Sequence, residues 1–201
     1  MNEIVGIDPG HGWKNTGCVC DKLVERDRVE VTADILARCL EDRGIRSIKT
    51  RDRGKNPWFV TRGWRTRKCS AVVSIHINAS SDDTTDGMEL YYWPGSNRGR
   101  CLAEVIARRC PPELLPIGRK AGCRIYAATN KPSAKDDWLQ RPRTVLRHHR
   151  PPAVLIELGY ASNDRNRAYL MSKEGLEEVC WFVALAIDTW LRALARSQSP
   201  Q

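Results

Sequence analysis

A short run of β-branched and apolar residues, 72–77, constrains the fold more than any other part of the chain. Continuous runs of this kind are typical of strands that are buried on both faces of a parallel sheet. His76 lies near the end of the run, and the polar residues 80–83 follow it. In open α/β sheets, ligands bind outside the carboxyl ends of the strands. The run therefore predicts a central strand that ends at a site.

Two further strand-like runs end in residues that can bind a metal or carry a proton. Residues 3–8 lead into His11 through a proline and a glycine, and residues 153–156 lead directly into Glu157. A carboxylate that follows four apolar residues directly rarely serves solvation alone. Because parallel strands end at one edge of a sheet, we expect these side chains to lie near His76.

Strand-like and helix-like segments alternate along the chain, which indicates the α/β class. The pattern predicts helices at 23–40, 58–68, 97–110 and 173–196, with Ser96 and Asn97 as candidate caps of the third, and strands at 45–50, 87–93 and 122–127. Residues 128–150 are polar and contain prolines, with a short helix predicted near Asp137, and a turn is predicted at Asn163. We therefore predict an α/β fold in a single domain, residues 1–201, with a mainly parallel twisted sheet flanked by helices.

The chain is basic, with 33 lysines and arginines against 24 acidic residues and a formal charge of +9. Such a charge favours an anionic partner, for example nucleic acid, a phosphate-bearing cell wall or a membrane surface, or else a solvated arginine-rich face. No helix-turn-helix, zinc-finger or RNP-like motif is visible, so we predict no nucleic-acid partner. The most apolar region, 179–194, is short and interrupted by charges, which predicts no stable membrane insertion. No signal peptide is visible.

The eight cysteines include no Cys-x-x-Cys pair, and several lie at apolar positions of periodic runs. We predict free thiols in a reducing compartment. Cys18 and Cys20 are close to His11 in sequence but are assigned to packing. His148 and His149 lie in a basic loop before a strand, which favours a surface position over metal binding.

A catalytic zinc site uses three protein ligands from histidine, carboxylate or thiolate and leaves a fourth position open. His11 and His76 are the natural imidazole ligands. Glu25 lies in the first turns of the predicted helix that packs back on the sheet, and Glu30 is an alternative nearby. On spacing alone, a metal site and unrelated structural roles for these residues both remain open.

Four sequence blocks occur in order along almost the whole chain. They are residues 7–12 (IDPGHG), 24–27 (VERD), 74–79 (SIHINA) and 152–163 (PAVLIELGYASN). These blocks resemble the signatures of the zinc-dependent N-acetylmuramoyl-L-alanine amidases of the amidase-3 family. The resemblance implies that His11, Glu25 and His76 hold Zn2+ and that Glu157 is the catalytic carboxylate. Residues 13–14 and 111–143 depart from the family pattern.

The resemblance also implies a function: hydrolysis of the amide between N-acetylmuramic acid and the L-alanine of the peptidoglycan stem peptide. A catalytic domain without a visible export signal or wall-binding repeat resembles a bacteriophage endolysin. Such a protein is expected to be a monomer that accumulates in the host cytoplasm and then acts on the bacterial cell wall. The alternatives are a bacterial autolysin or spore-related amidase, or a non-catalytic basic protein that binds nucleic acid or glycan.

Overall fold

The computed structural model describes residues 3–116, 123–128 and 143–198. Its strands are β1 (Ile4–Pro9), β2 (Val19–Cys20), β3 (Leu23–Val24), β4 (Arg46–Lys49), β5 (Ala71–Asn78), β6 (Glu89–Tyr92), β7 (Arg124–Ala127) and β8 (Ala153–Tyr160). Its α-helices are α1 (Glu25–Glu41), α2 (Phe59–Arg65), α3 (Asn97–Ala107), α4 (Arg143–His148), α5 (Asp164–Met171) and α6 (Lys173–Gln198). A single 3-10 turn covers Pro112–Leu114 within the described residues.

The main sheet has six strands in the order β4-β1-β5-β8-β6-β7. The pairs β1·β4, β1·β5, β5·β8 and β6·β7 are parallel, and β6 runs antiparallel to β8. The strands β2 and β3 form a separate two-stranded hairpin. This topology confirms the predicted α/β fold with a mostly parallel sheet flanked by helices.

The two faces of β5 bury different side chains because successive residues of a strand point to opposite faces. Val73, Ile75 and Ile77 belong to the larger core cluster, which also contains residues of α1, α3 and α6. Val72 belongs to the smaller cluster with residues of α4, against which α2 packs. His76 has the parity of Val72 and therefore projects from the face that α2 and α4 cover.

Several predicted boundaries differ from the structure. Helix α1 begins at Glu25 rather than at residue 23, because Leu23 and Val24 pair with β2 instead. Asn163 ends a turn, since its N–H donates to Tyr160 O, and it also caps α5, since its side chain accepts a hydrogen bond from the backbone N–H of Asn166. The helix predicted near Asp137 lies outside the described residues.

Ser96 caps α3 as predicted, since its side chain accepts a hydrogen bond from Gly99 N. All eight cysteines are free thiols in the structure. Within the part of the chain that is described, no helix has both the length and the apolar character needed to cross a bilayer.

Candidate active site

Three side chains meet where β1, α1 and β5 converge. Glu25 Oε1 lies 2.9 Å from His11 Nε2 and 3.1 Å from His76 Nδ1. One ligand atom from each of the three residues lies within 4.8 Å of the others. Glu25 and His76 are buried, whereas His11 is partly exposed. The cluster is therefore open to solvent on the His11 side.

The hairpin before α1 aims the Glu25 side chain at the end of the sheet. The backbone N–H of Glu25 donates to Cys18 O, so the first residue of the helix is tied to the preceding loop. The carboxylate in turn accepts hydrogen bonds from Cys18 N (2.9 Å) and from Ile77 N in β5 (3.0 Å). These backbone donors hold both carboxylate oxygens in place and favour the ionised form.

His11 is oriented by a second hydrogen bond on its other ring nitrogen. Its Nδ1 lies 3.0 Å from Asn15 Oδ1, an acceptor, so this nitrogen carries the proton. The opposite nitrogen, Nε2, faces Glu25 Oε1 at 2.9 Å and is the ring nitrogen available to a metal ion. Metal-binding histidines commonly make such a bond through the nitrogen that does not bind the metal. His11 also has a backbone φ of 59°, in a region that few non-glycine residues occupy.

Two glycines provide the space that the cluster needs. A Cβ on Gly10 would lie 2.4 Å from His76 Cε1. A Cβ on Gly17, whose φ is +67°, would lie 2.3 Å from Glu25 Oε2 and 2.7 Å from His11 Cδ2. Any side chain at these positions would therefore displace a proposed ligand.

Two buried arginines hold the backbone that carries His11. Arg51 donates to Pro9 O and Gly10 O, each at 2.9 Å. Arg62 donates to Pro9 O at 2.9 Å and to His11 O at 2.7 Å. Three consecutive carbonyls are thus bound by guanidinium groups, which fixes the loop through its main chain without using the imidazole.

The electrostatics of the cluster favour an ionised carboxylate. Burial alone raises the pKa of Glu25, but hydrogen bonds and charge from His11 and His76 outweigh this effect, so the pKa lies below its usual value. Burial lowers the pKa of His11, yet the hydrogen bonds to Glu25 and Asn15 bring it above the usual value. A buried carboxylate that stays ionised in this way presents negative charge to a cation.

The three residues fit a zinc ion. Two imidazoles and a carboxylate are the donor set of many catalytic zinc sites, with a fourth position left for water or substrate. Ligand atoms about 2.0–2.1 Å from zinc in a tetrahedron are about 3.3 Å apart, a few tenths of an ångström more than the two His–Glu separations above. Among the described residues, this is the one group of three histidine, cysteine or carboxylate side chains that is close enough to hold a metal.

A row of polar side chains crosses the sheet beside this cluster. His76 of β5 pairs with Glu157 of β8, which pairs in turn with Glu89 of β6. Arg124 of β7 is the partner of Glu89 on the other side. Directly paired residues share a face of the sheet, and neighbouring strands are about 4.8 Å apart. Glu157 is buried and lies one strand from the nearest proposed ligand.

A protein-family model and several known amidases match the chain. The family model Amidase_3, described as N-acetylmuramoyl-L-alanine amidase, matches residues 5–189. The chain belongs to this amidase family. Zinc dependence is general in the family.

Relatives of the amidase family match the chain in both sequence and structure. "Probable cell wall amidase LytH" of Staphylococcus aureus is 31% identical over 166 residues, 81% of this chain and 50% of that protein. The chain thus spans about half the length of the curated relatives it matches. N-acetylmuramoyl-L-alanine amidase AmiC2 of Nostoc punctiforme superimposes with a TM-score of 0.77 at 26% identity, covering 96% of this chain and 98% of that one. The CwlV catalytic domain from Bacillus (Paenibacillus) polymyxa gives 0.78 at 25%, covering 94% and 98%.

The structure distinguishes between Glu25 and Glu30, the two glutamates that the sequence offers as the third metal ligand. Glu30 is bound by Arg51 and is absent from the metal-binding group. Cys18 is also absent from that group. Its thiol donates to Ile77 O, and burial together with the Glu25 charge raises its pKa far above the usual value.

The predicted surface position of His149 is wrong. Its side chain is buried beneath α2, where Nδ1 lies 2.8 Å from Thr66 Oγ1, and burial lowers its pKa. His148 is partly exposed and stacks on Phe59. The histidine pair therefore packs α4 against α2. The polar sequence around His149 does not show that α2 covers this residue in the fold, and the prediction failed for that reason.

Sequence reasoning missed Glu89. Its carboxylate is buried and accepts hydrogen bonds from Tyr91 Oη at 2.8 Å and Asn78 Nδ2 at 3.4 Å, and Arg124 lies 3.5 Å away. The alternation of residues 87–93 predicted the strand, but only the antiparallel β6·β8 register places this residue beside Glu157. No local signal in the sequence carries that information.

Proposed function

We propose that this chain is a zinc-dependent peptidoglycan amidase that hydrolyses the bond between N-acetylmuramic acid and L-alanine of the stem peptide. The observation that carries the proposal is the close cluster of His11, Glu25 and His76 with Glu157 one strand away. Family membership supports the reaction type, and zinc dependence is general in the family. We further propose that residues 1–201 form one catalytic domain.

His11, Glu25 and His76 would hold the zinc ion. Zinc bound there would lower the pKa of a water molecule and polarise the carbonyl of the lactyl amide. In this proposal Glu157 accepts the proton of the attacking water and delivers a proton to the leaving alanine nitrogen. The C–N bond then breaks, and the products are a lactyl carboxylate and a free alanine amine.

The chain's own residues prepare this reaction before substrate arrives. Arg51 and Arg62 hold the His11 loop by its carbonyls, and Asn15 fixes the imidazole proton on Nδ1. Backbone N–H groups of Cys18 and Ile77 hold Glu25. Rigid placement of this kind reduces the reorganisation that the reaction requires.

The biological setting we favour is a bacterial cell-wall amidase. The relatives named above come from bacteria, and one of them is described as a probable cell wall amidase. No comparison supports the predicted bacteriophage endolysin over this alternative, and that role, with its host-cytoplasmic stage, stays a prediction. The monomeric state also stays a prediction.

Digestion of purified peptidoglycan tests the reaction. The products are assayed for new alanine amines and for new reducing sugar ends, before and after zinc is removed with a chelator and restored. We expect amines without reducing ends, loss of product on chelation, and recovery with added zinc. Reducing ends alone would identify a glycosidase and overturn the proposal, as would amine release that persists after complete metal removal.

A further inference from the structure

The segment 53–70 concentrates the positive charge of the chain. It contains six lysines and arginines and no aspartate or glutamate. Arg62 faces inward to Asp8, and Arg53 lies 3.6 Å from carboxylate oxygens of Glu30 and of Asp34. The remaining four cations are exposed at the surface: Lys55, Arg65, Arg67 and Lys68.

Large apolar side chains are exposed among these cations. Trp58 is 85% exposed, Val60 65% and Trp64 62%. Val60 and Trp64 are four residues apart on α2 and therefore share one face of the helix. Arg67 lies over the Trp64 ring, 3.9 Å from its centroid. We call these three apolar residues, together with Lys55, Arg65, Arg67 and Lys68, the α2 patch.

The opposite face of α2 is anchored, so the helix cannot rotate to bury the α2 patch. Arg62 is buried and bound to Asp8 and to His11 O. Gly63 packs so closely on α4 that an added Cβ would lie 2.1 Å from His148 O. Exposure of Val60 and Trp64 is thus imposed by the packing of the inner face, and clustered exposed apolar side chains commonly mark an interaction surface.

We propose that the α2 patch docks on the surface of an anionic lipid bilayer. Tryptophan is enriched at membrane–water interfaces, where its ring is partly apolar and partly polar. Surface helices that bind membranes combine such residues with lysine and arginine, which attract anionic headgroups. An anionic polymer in solution would engage the four cations but would offer no apolar medium for Trp58, Val60 and Trp64.

Docking through the α2 patch would also hold the candidate active site near the membrane. Arg62 connects the inner face of α2 to the backbone of His11, so the patch belongs to the same rigid unit as the candidate active site. When the α2 patch binds a bilayer, the candidate active site therefore stays close to the membrane surface. The inference rests on the patch alone and does not depend on the proposed reaction.

Co-sedimentation of the full chain with lipid vesicles tests the proposal. Vesicles of phosphatidylglycerol and phosphatidylcholine are compared with vesicles of phosphatidylcholine alone, in about 0.1 M salt, where exposed charges still interact over about 10 Å. We expect at least tenfold stronger partitioning to the anionic vesicles. Equal partitioning to both, or none to either, would overturn the proposal.

Two variants distinguish binding through the α2 patch from non-specific binding through any exposed tryptophan. Trp58→Ser/Trp64→Ser should lose at least tenfold in vesicle partitioning, whereas Trp181→Ser should not. Trp181 is a matched control, since it is 47% exposed on α6 and also has an arginine, Arg43, over its ring at 5.2 Å. Unchanged thermal melting would establish that each variant folds.

A soluble polyanion distinguishes lipid docking from simple charge attraction. Poly-glutamate should compete weakly with anionic vesicles, and its binding should be insensitive to Trp58→Ser/Trp64→Ser. If poly-glutamate binds as tightly as the vesicles do, or if the tryptophan variant keeps full vesicle binding, the α2 patch is a polyanion site and the lipid proposal is wrong.

Discussion

Asp8 is a fully buried carboxylate that links β1 to α2 beneath the candidate active site. Arg62 Nη1 lies 3.0 Å from its Oδ1, Ser74 donates to Oδ2 at 2.7 Å, and the Thr50 hydroxyl donates to Oδ1. Burial raises the pKa of Asp8, but Arg62, His149 and the two hydroxyl groups together bring it below the usual value. The carboxylate is therefore ionised and paired in the folded protein.

This arrangement predicts a pH-dependent loss of stability in Asp8→Asn. Because the folded pKa lies below the unfolded value of about 3.9, the ionised carboxylate stabilises the fold above that pH, and the stabilisation is lost as the pH falls towards the folded pKa. Leaving Arg62 buried without its partner costs about 3–5 kcal/mol at pH 7. Denaturant titrations between pH 3 and pH 7 measure this difference.

The difference between the wild type and Asp8→Asn should shrink below about pH 4, where the wild-type carboxylate begins to lose its advantage. Asp52→Asn is the control, because Asp52 is exposed and should show almost no loss at any pH. A loss in Asp8→Asn that stays constant from pH 7 to pH 3 would contradict the role assigned to the ionised carboxylate.

At the scale of elements, the loop between β1 and β2 controls the cluster. It carries His11 and Asn15, and its end at Gly17 passes against the Glu25 carboxylate. Its geometry includes φ values of 59° at His11 and +67° at Gly17. The loop thus places one proposed ligand and leaves room for another.

Gly17→Ala should weaken zinc binding by at least about tenfold, within the usual range for changes next to metal ligands. The added Cβ would lie 2.3 Å from Glu25 Oε2 and would push the carboxylate away. Competition with a chromophoric zinc chelator measures the affinity.

Gly54→Ala is the matched control for the backbone strain. Gly54 has a similar φ of +71°, but no atom lies within 4 Å of its added Cβ. It should therefore lose about 1–2 kcal/mol of stability from the left-handed conformation while keeping wild-type zinc affinity. If the two alanine variants lose zinc equally, strain rather than the displaced Glu25 is responsible, and the assignment of the loop is wrong.

The elements that the sequence predicted well are those with strong local signals. The apolar run at β5, the amphipathic spacing of α1 and the Ser96 cap of α3 each specify their structure within a few residues. The β2–β3 hairpin was missed because each of its strands has only two residues. The burial of His149 was missed because it depends on α2 packing over this residue. The contact between His149 and Thr66, for example, joins residues 83 positions apart.

At the scale of the whole molecule, the parallel sheet gathers residues from distant parts of the chain at one edge. His11 follows β1, His76 lies in β5, Glu157 lies in β8 and Glu25 begins α1. Sequence reasoning could name these four because each follows or begins a recognisable element. The sequence could not predict the row of paired side chains from His76 to Arg124, because that row depends on strand order and on the antiparallel pairing of β6 with β8.

The central claim is that three residues hold zinc while Glu157 moves the proton, and Glu157→Gln tests it most directly. Zinc content and alanine-amine release from peptidoglycan are measured for the wild type, Glu157→Gln, Glu25→Gln and the control Glu104→Gln, which alters a partly exposed carboxylate on α3. We expect Glu104→Gln to behave as wild type and Glu25→Gln to lose both zinc and activity.

Glu157→Gln should keep one zinc ion per chain and lose at least about 100-fold in turnover, the contribution typical of general acid–base catalysis. A variant that turns over at the wild-type rate, or that loses its zinc together with its activity, would contradict the division of roles between Glu157 and the three ligands.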